Sequence, residues 1–199
     1  MTKNICVYCS SSNHVDKKFF IAAQELGAKI VQKGYGLVYG GTNTGLMGEI
    51  AKAVCSLNGK VIGIIPQKIK DHGLAFDCVS ELIITENMRQ RKELMERHSD
   101  IFIAMPGGFG TLEELFEILT SGQLGFHSKP VAIINVNGFY DNLKKQLDFM
   151  VNEKMLLEPH AKIAQFVNTP EDALEALNNY TAPKVEKWID DIRKDNGHL

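Results

Sequence analysis

Short apolar runs alternating with helix-patterned segments constrain this chain more than any other feature. Runs of strand character lie at NICVYCS (4–10), GLVYGG (36–41), KVIGIIP (60–66), ELIITE (81–86), DIFIAMPGG (100–108), KPVAIINV (129–136) and AQFVNT (164–169). Helical patterns cover 17–33, 46–57, 88–98, 112–124, 140–153 and 169–180. The last opens with Thr169 at the cap, Pro170 at the first helical position and acids in the first turn. The stretch from 67 to about Ser80 reads as irregular, and a weaker helix is expected around Trp188. Strands this apolar are covered on both faces, and their alternation with helices argues for a parallel sheet between two helical layers. The expected fold class is α/β, a Rossmann-like three-layer sandwich with a mainly parallel sheet. Ligands of such folds bind beyond the carboxyl ends of the strands. Three loops fall there: CSSSN with Ser11, YGGTNTGLMG, and PGGFGTLEE.

Composition narrows the function classes. A formal net charge of −2 gives no reason to expect nucleic acid or an anionic membrane as partner. No apolar run approaches the roughly 20 residues of a membrane helix. The start, MTKNICVYCSSSNH, lacks a signal-peptide core, so a cytoplasmic protein is expected. Cys6 and Cys9 form a C-x-x-C, but residues three apart on a strand face opposite sides. No second such pair completes a metal set, and no metal is expected.

Two glycine loops have strand–glycine–helix context: GGTNTGLMG (40–48) and GGFGT (107–111). Glycine permits close backbone approach, and a helix start adds convergent N–H groups that favour an anion. Neither loop is a Walker motif or a complete dinucleotide fingerprint. Two on one sheet edge favour a phosphate-bearing ligand. Downstream, Thr111 to Glu114 has capping-box spacing, so Glu114 is either a cap or a working carboxylate. Near a helix start it is favoured in its ionised form, suited to stabilising a cation or activating water. In NMRQRKELMERH (87–98), the pairs Arg89–Glu93, Lys92–Glu96 and Glu93–Arg97 have helix-neighbour spacing. Arg91 has no acid at that spacing and shares a stripe with Met88, Met95 and His98. Its guanidinium either snorkels to water, pairs with another helix, or meets a substrate phosphate or Glu114.

PGGFGTLEE, MRQRKELM, YGGTNTGLMGEIAKA and CVYCSSSN together resemble the motifs of the LONELY GUY (LOG) family, in family order across residues 4 to 180. That family, once labelled lysine decarboxylases, hydrolyses the N-glycosidic bond of cytokinin riboside 5′-monophosphates to free base and ribose 5-phosphate; some members take AMP. The resemblance implies a catalytic pair at Arg91 and Glu114. It implies substrate contacts from Lys92, from Gly108, Phe109, Gly110, Thr111, Leu112 and Glu113, and from Thr120. It implies phosphate contacts from Gly41, Thr42, Asn43, Thr44 and Gly45, and a substrate contact from Ser11 of the first loop. It also implies no cofactor, a small-molecule nucleoside monophosphate as ligand and a homodimer. Residues 1–180 are then one nucleotide-binding hydrolase domain and 181–199 a helical tail. Two departures stand out: Ser10 replaces a usual glycine, and KIKDHGLAF (68–76) lacks a glutamate that many members use.

A mechanism follows from these assignments. Glycine-loop amides, with Lys92, hold the 5′-phosphate, and Glu113 positions the ribose hydroxyls. Glu114 stabilises an oxocarbenium-like cation, and Arg91 fixes Glu114. Nothing in the sequence identifies what protonates the base. The alternative is a non-catalytic carrier of a nucleotide or a molybdenum-cofactor-type pterin on the same fold, which leaves Arg91 and Glu114 without a task. Decarboxylation of lysine needs an electron sink such as pyridoxal phosphate bound through a lysine, for which no motif is evident.

Overall fold

The computed structural model describes residues 2–183. The helix expected around Trp188 lies outside the described residues. Seven strands form one parallel sheet: β1 (Asn4–Tyr8), β2 (Gly36–Tyr39), β3 (Val61–Pro66), β4 (Glu81–Thr85), β5 (Ile101–Ala104), β6 (Val131–Ile134) and β7 (Ala164–Val167). Their order is β4-β3-β2-β1-β5-β6-β7. The chain builds outward from β1 to one edge, then returns to add β5 on its other side. Cys6 accordingly pairs with Val38 of β2 on one flank and Phe102 of β5 on the other.

Strand alternation divides the apolar residues between two cores. Ile5, Val7, Leu37, Tyr39, Ile101, Ile103 and Ile134 face one layer. That layer contains α1 (Lys17–Gln32), α2 (Gly45–Ser56) and α8 (Pro170–Asn178). Cys6, Tyr8, Val38, Ile62, Phe102, Ala104 and Ile133 face the other. There they meet Met95 of α4 (Met88–Arg97), Leu115 and Ile118 of α5 (Phe109–Gln123), and Leu147 of α6 (Asp141–Asn152). Two short helices, α3 (Gln67–Lys70) and α7 (Glu158–Ala161), complete the set. Cys9 sits in the first core and Cys6 in the second, so the C-x-x-C sulfurs are on opposite sides of the sheet. Burial pushes both thiols well above the ordinary range.

Two expectations need correction. Helix α5 starts at Phe109, three residues before the expected Leu112, with Gly108 as the N-cap residue. Thr111 is therefore inside the helix, and Glu114 is in its second turn rather than closing a capping box. The expected Lys92–Glu96 pair is replaced: Lys92 reaches across to Glu113 and Glu117 of α5, at 2.7 Å for Glu117. Two acids on a packed neighbour offer more attraction than one on the same helix. Glu93–Arg97 forms as expected, at 2.6 Å.

Candidate active site

The strand order reverses between β1 and β5, and such a switch point leaves a crevice at the carboxyl ends of the strands. A cleft of about 720 Å³ lies there, walled by the loops after β1, β2 and β5 and by residues 69–74. That size suits a small-molecule ligand. The loops are tied to one another. The Ser10 amide donates to the Pro106 carbonyl at 3.1 Å, and the Ser10 carbonyl accepts from Leu46 at 2.9 Å. The Gly45 amide donates to Asn13 Oδ1 at 2.7 Å, and the Tyr140 hydroxyl donates to the Met105 carbonyl at 2.8 Å. Ser10, the departure from the usual glycine, keeps an ordinary negative φ, and its Oγ accepts from the Ser12 amide at 3.1 Å.

At the cleft floor Arg91 Nη1 donates to Glu114 Oε1 at 2.6 Å. The two residues are only 5% and 4% exposed. Arg91 Nε donates to the Ile64 carbonyl at 3.1 Å, which fixes the plane of the guanidinium. Gly40 makes room for it, since a side chain there would run into Arg91 Nη2. A cation that cannot lose its proton thus gains a carboxylate and a carbonyl in the interior, as burial demands. Burial raises the Glu114 carboxyl above its ordinary value, and Arg91 works against that rise. In its second-turn position Glu114 lies beyond most of the helix-end field, so Arg91 rather than the helix start opposes that rise.

The two glycine loops differ in what their amides do. At α2 the donors of Gly45, Leu46 and Met47 are already bound, by Asn13 and by the Ser10 carbonyl. At α5 no side chain caps the helix start. Gly108 and Gly110 line the cleft, and a methyl group added at either would touch nothing. Neither has a positive φ. Neither packing nor backbone conformation explains these glycines, so the space beside them is open for a ligand.

Of the residues singled out from the sequence, Ser11, Thr42, Thr44, Arg91, Gly108, Phe109, Gly110, Thr111 and Glu114 line the cleft. Others stand apart from it in this chain. Lys92 and Glu113 are neighbours of Arg91 and Glu114 on their helices, hence turned roughly 100° away, and they pair with each other. Leu112 packs into the second core. Thr120 lies roughly 16 Å along α5 from its start by the helical rise, beside a separate small hollow. Gly41 and Gly45 shape the backbone, with φ of 77° and 57°. The Asn43 amide binds the Leu74 carbonyl at 2.9 Å. The structure adds Met47, Ile69, His72, Leu74 and Met88 to the lining. Ile69 comes from the short helix α3, and His72 and Leu74 from the turn after it, a stretch that reads as irregular in the sequence because no periodicity marks it.

Fold and site define a Rossmann-like α/β protein whose switch-point cleft joins an uncapped helix start to a buried acid–arginine pair. A family described as "Possible lysine decarboxylase" matches residues 47–177. A probable cytokinin riboside 5′-monophosphate phosphoribohydrolase of Oryza sativa subsp. japonica is 41% identical over 187 residues, covering 94% of this chain and 74% of the relative. A cytokinin riboside 5′-monophosphate phosphoribohydrolase of Arabidopsis thaliana is 38% identical over 194 residues, covering 98% and 91%. The chain belongs to the LONELY GUY (LOG) family. Among solved structures, the molybdenum cofactor carrier protein of Chlamydomonas reinhardtii aligns with a TM-score of 0.69 at 21% identity, over 89% of this chain and 97% of that one, and shows the shared fold.

Proposed function

We propose that this protein is an N-glycosidase that hydrolyses cytokinin riboside 5′-monophosphates, and AMP with them, to free base and ribose 5-phosphate. Relatives of about 40% identity over most of the chain carry that activity in their names. The observation that carries the reading is the buried Arg91–Glu114 pair opening on the same cleft as the bare start of α5.

The 5′-phosphate lies at the α5 start, against the amides beside Gly108 and Gly110 and the Thr111 hydroxyl. Those donors are unsatisfied by side-chain caps, and the helix end favours negative charge. Ser11, Thr42 and Thr44 line the same cleft. With the phosphate so placed, the ribose spans the floor and C1′ comes over Glu114. As the N-glycosidic bond lengthens, positive charge develops on C1′ and O4′, and the carboxylate stabilises it. Glu114 also accepts a proton from the attacking water. Arg91 holds the carboxylate in place and ionised. Met47, Ile69, Leu74 and Met88 supply apolar surface for the base. The carrier alternative gives the pair no role. Decarboxylation through pyridoxal phosphate lacks its anchor, because the residues lining the cleft include no lysine among those described. The protein acts as a homodimer in this reading, consistent with Phe109 being 93% exposed at the cleft mouth and Met88 and Phe116 being exposed on α4 and α5.

The test is base release. Wild-type protein incubated with AMP and with N6-isopentenyl-AMP releases the base and ribose 5-phosphate, resolved by chromatography. Glu114→Gln keeps the shape and lowers kcat by on the order of 10²-fold or more, with KM little changed. Unchanged turnover in the variant would return Glu114 to a structural role.

A further inference from the structure

We propose that His72 is the acid that protonates the departing base. The inference rests on the phosphoribohydrolase reading and assigns the one step of that chemistry for which the acid–arginine pair has no group. Cleavage places an electron pair on the base as the bond from C1′ breaks, and a purine anion is a poor leaving group. Glu114 is required as the carboxylate, and the Arg91 guanidinium does not release its proton. Burial pushes the Cys9 thiol well up, so it holds its proton too. Hydroxyls of serine and threonine release protons only at extreme pH. Among the described residues lining the cleft, His72 carries the single imidazole, a side-chain type that serves as a general acid.

Its position fits the role. The turn that carries His72 is held at its far end over the glycine loop. Thr42 and Ala75 form an antiparallel bridge, and the Phe76 amide donates to the Gly41 carbonyl at 3.1 Å. At its near end α3 continues directly from β3, and the His72 amide donates to the Ile69 carbonyl at 3.2 Å. Ile69 and Leu74, on either side of His72 in sequence, line the same wall. Ile69 and Leu74 belong to the apolar surface proposed above for the base, which places His72 beside it.

The C1′–N9 bond breaks and its electron pair enters the purine ring, while the His72 imidazolium gives a proton to a ring nitrogen. Water oxygen bonds to C1′ and its proton passes to Glu114. The products are neutral base and ribose 5-phosphate, and solvent returns the proton from Glu114 to His72.

The experiment compares two substrates: AMP, whose base needs protonation, and p-nitrophenyl ribofuranoside 5-phosphate, whose phenolate leaves without it. His72→Gln keeps polarity and size at an exposed position. The expected result is a fall in kcat on AMP of about 10²-fold, at least about tenfold greater than the fall on the nitrophenyl substrate. Equal losses on both would make His72 a positioning residue, and no loss on AMP would remove it from the chemistry; either result overturns the proposal. A wild-type protein inert toward both substrates would instead overturn the phosphoribohydrolase reading itself, and the proposal with it.

Discussion

Arg91 and Glu114 are each costly to bury, and each is the reason the other is tolerated. Removing one partner of such a pair leaves a stranded charge, at a cost on the order of 3–5 kcal/mol. Arg91→Met is therefore expected to lower thermal stability strongly at neutral pH. The sign of its pH dependence is fixed. Burial already raises Glu114, and loss of the guanidinium removes the main opposing influence. A carboxyl raised in the folded state binds a proton there before the unfolded chain does. Stability of the variant thus recovers as pH falls through the raised value and is lost as pH rises through it. Melting curves of both proteins from pH 5 to 8 check this; a deficit that stays constant with pH would contradict it. The catalytic counterpart in the wild type is an acid limb of kcat/KM above the ordinary glutamate value of about 4.3, because the working form is ionised.

At the scale of elements, α5 carries the prediction that separates function from folding. Gly110 has no positive φ and open space where a side chain would stand. Alanine is a better helix former by up to about 1 kcal/mol, so Gly110→Ala should hold or raise Tm. The same methyl group occupies the place proposed for the phosphate, so KM for AMP should rise by on the order of tenfold or more. A variant less stable than wild type, or one with unchanged KM, would show that the glycine serves the fold. The elements themselves were largely legible in the sequence. Seven apolar runs became seven parallel strands, because burial on both faces leaves a run such as KVIGIIP with few polar choices. The start of α5 was misplaced because T-x-x-E has the spacing of a capping box, while Gly108 gives no side-chain signal at all. Arg91 stood out as an arginine lacking an acid on its own helix, and its partner came from α5. His72 was hidden, because its wall of the cleft is set by backbone bonds from Gly41 and Asn43 to an aperiodic stretch.

In the whole molecule a parallel sheet forms a switch-point cleft, and the proposed ligand is held there at both ends. The exposed aromatic face near the cleft predicts that light scattering in solution reports twice the 22.2 kDa mass of one chain. A monomer at micromolar concentration would leave Phe109 and Phe116 to be explained otherwise. The central claim concerns phosphate. Two charge-assisted hydrogen bonds at roughly 1.5 kcal/mol each amount to about a hundredfold in kcat/KM. The most direct test is therefore adenine release from AMP measured beside adenine release from adenosine, with the same protein. The account predicts cleavage of AMP at least about a hundredfold more efficient than that of adenosine. Equal efficiency on the two, or release of base from neither AMP nor its N6-isopentenyl derivative, would contradict it.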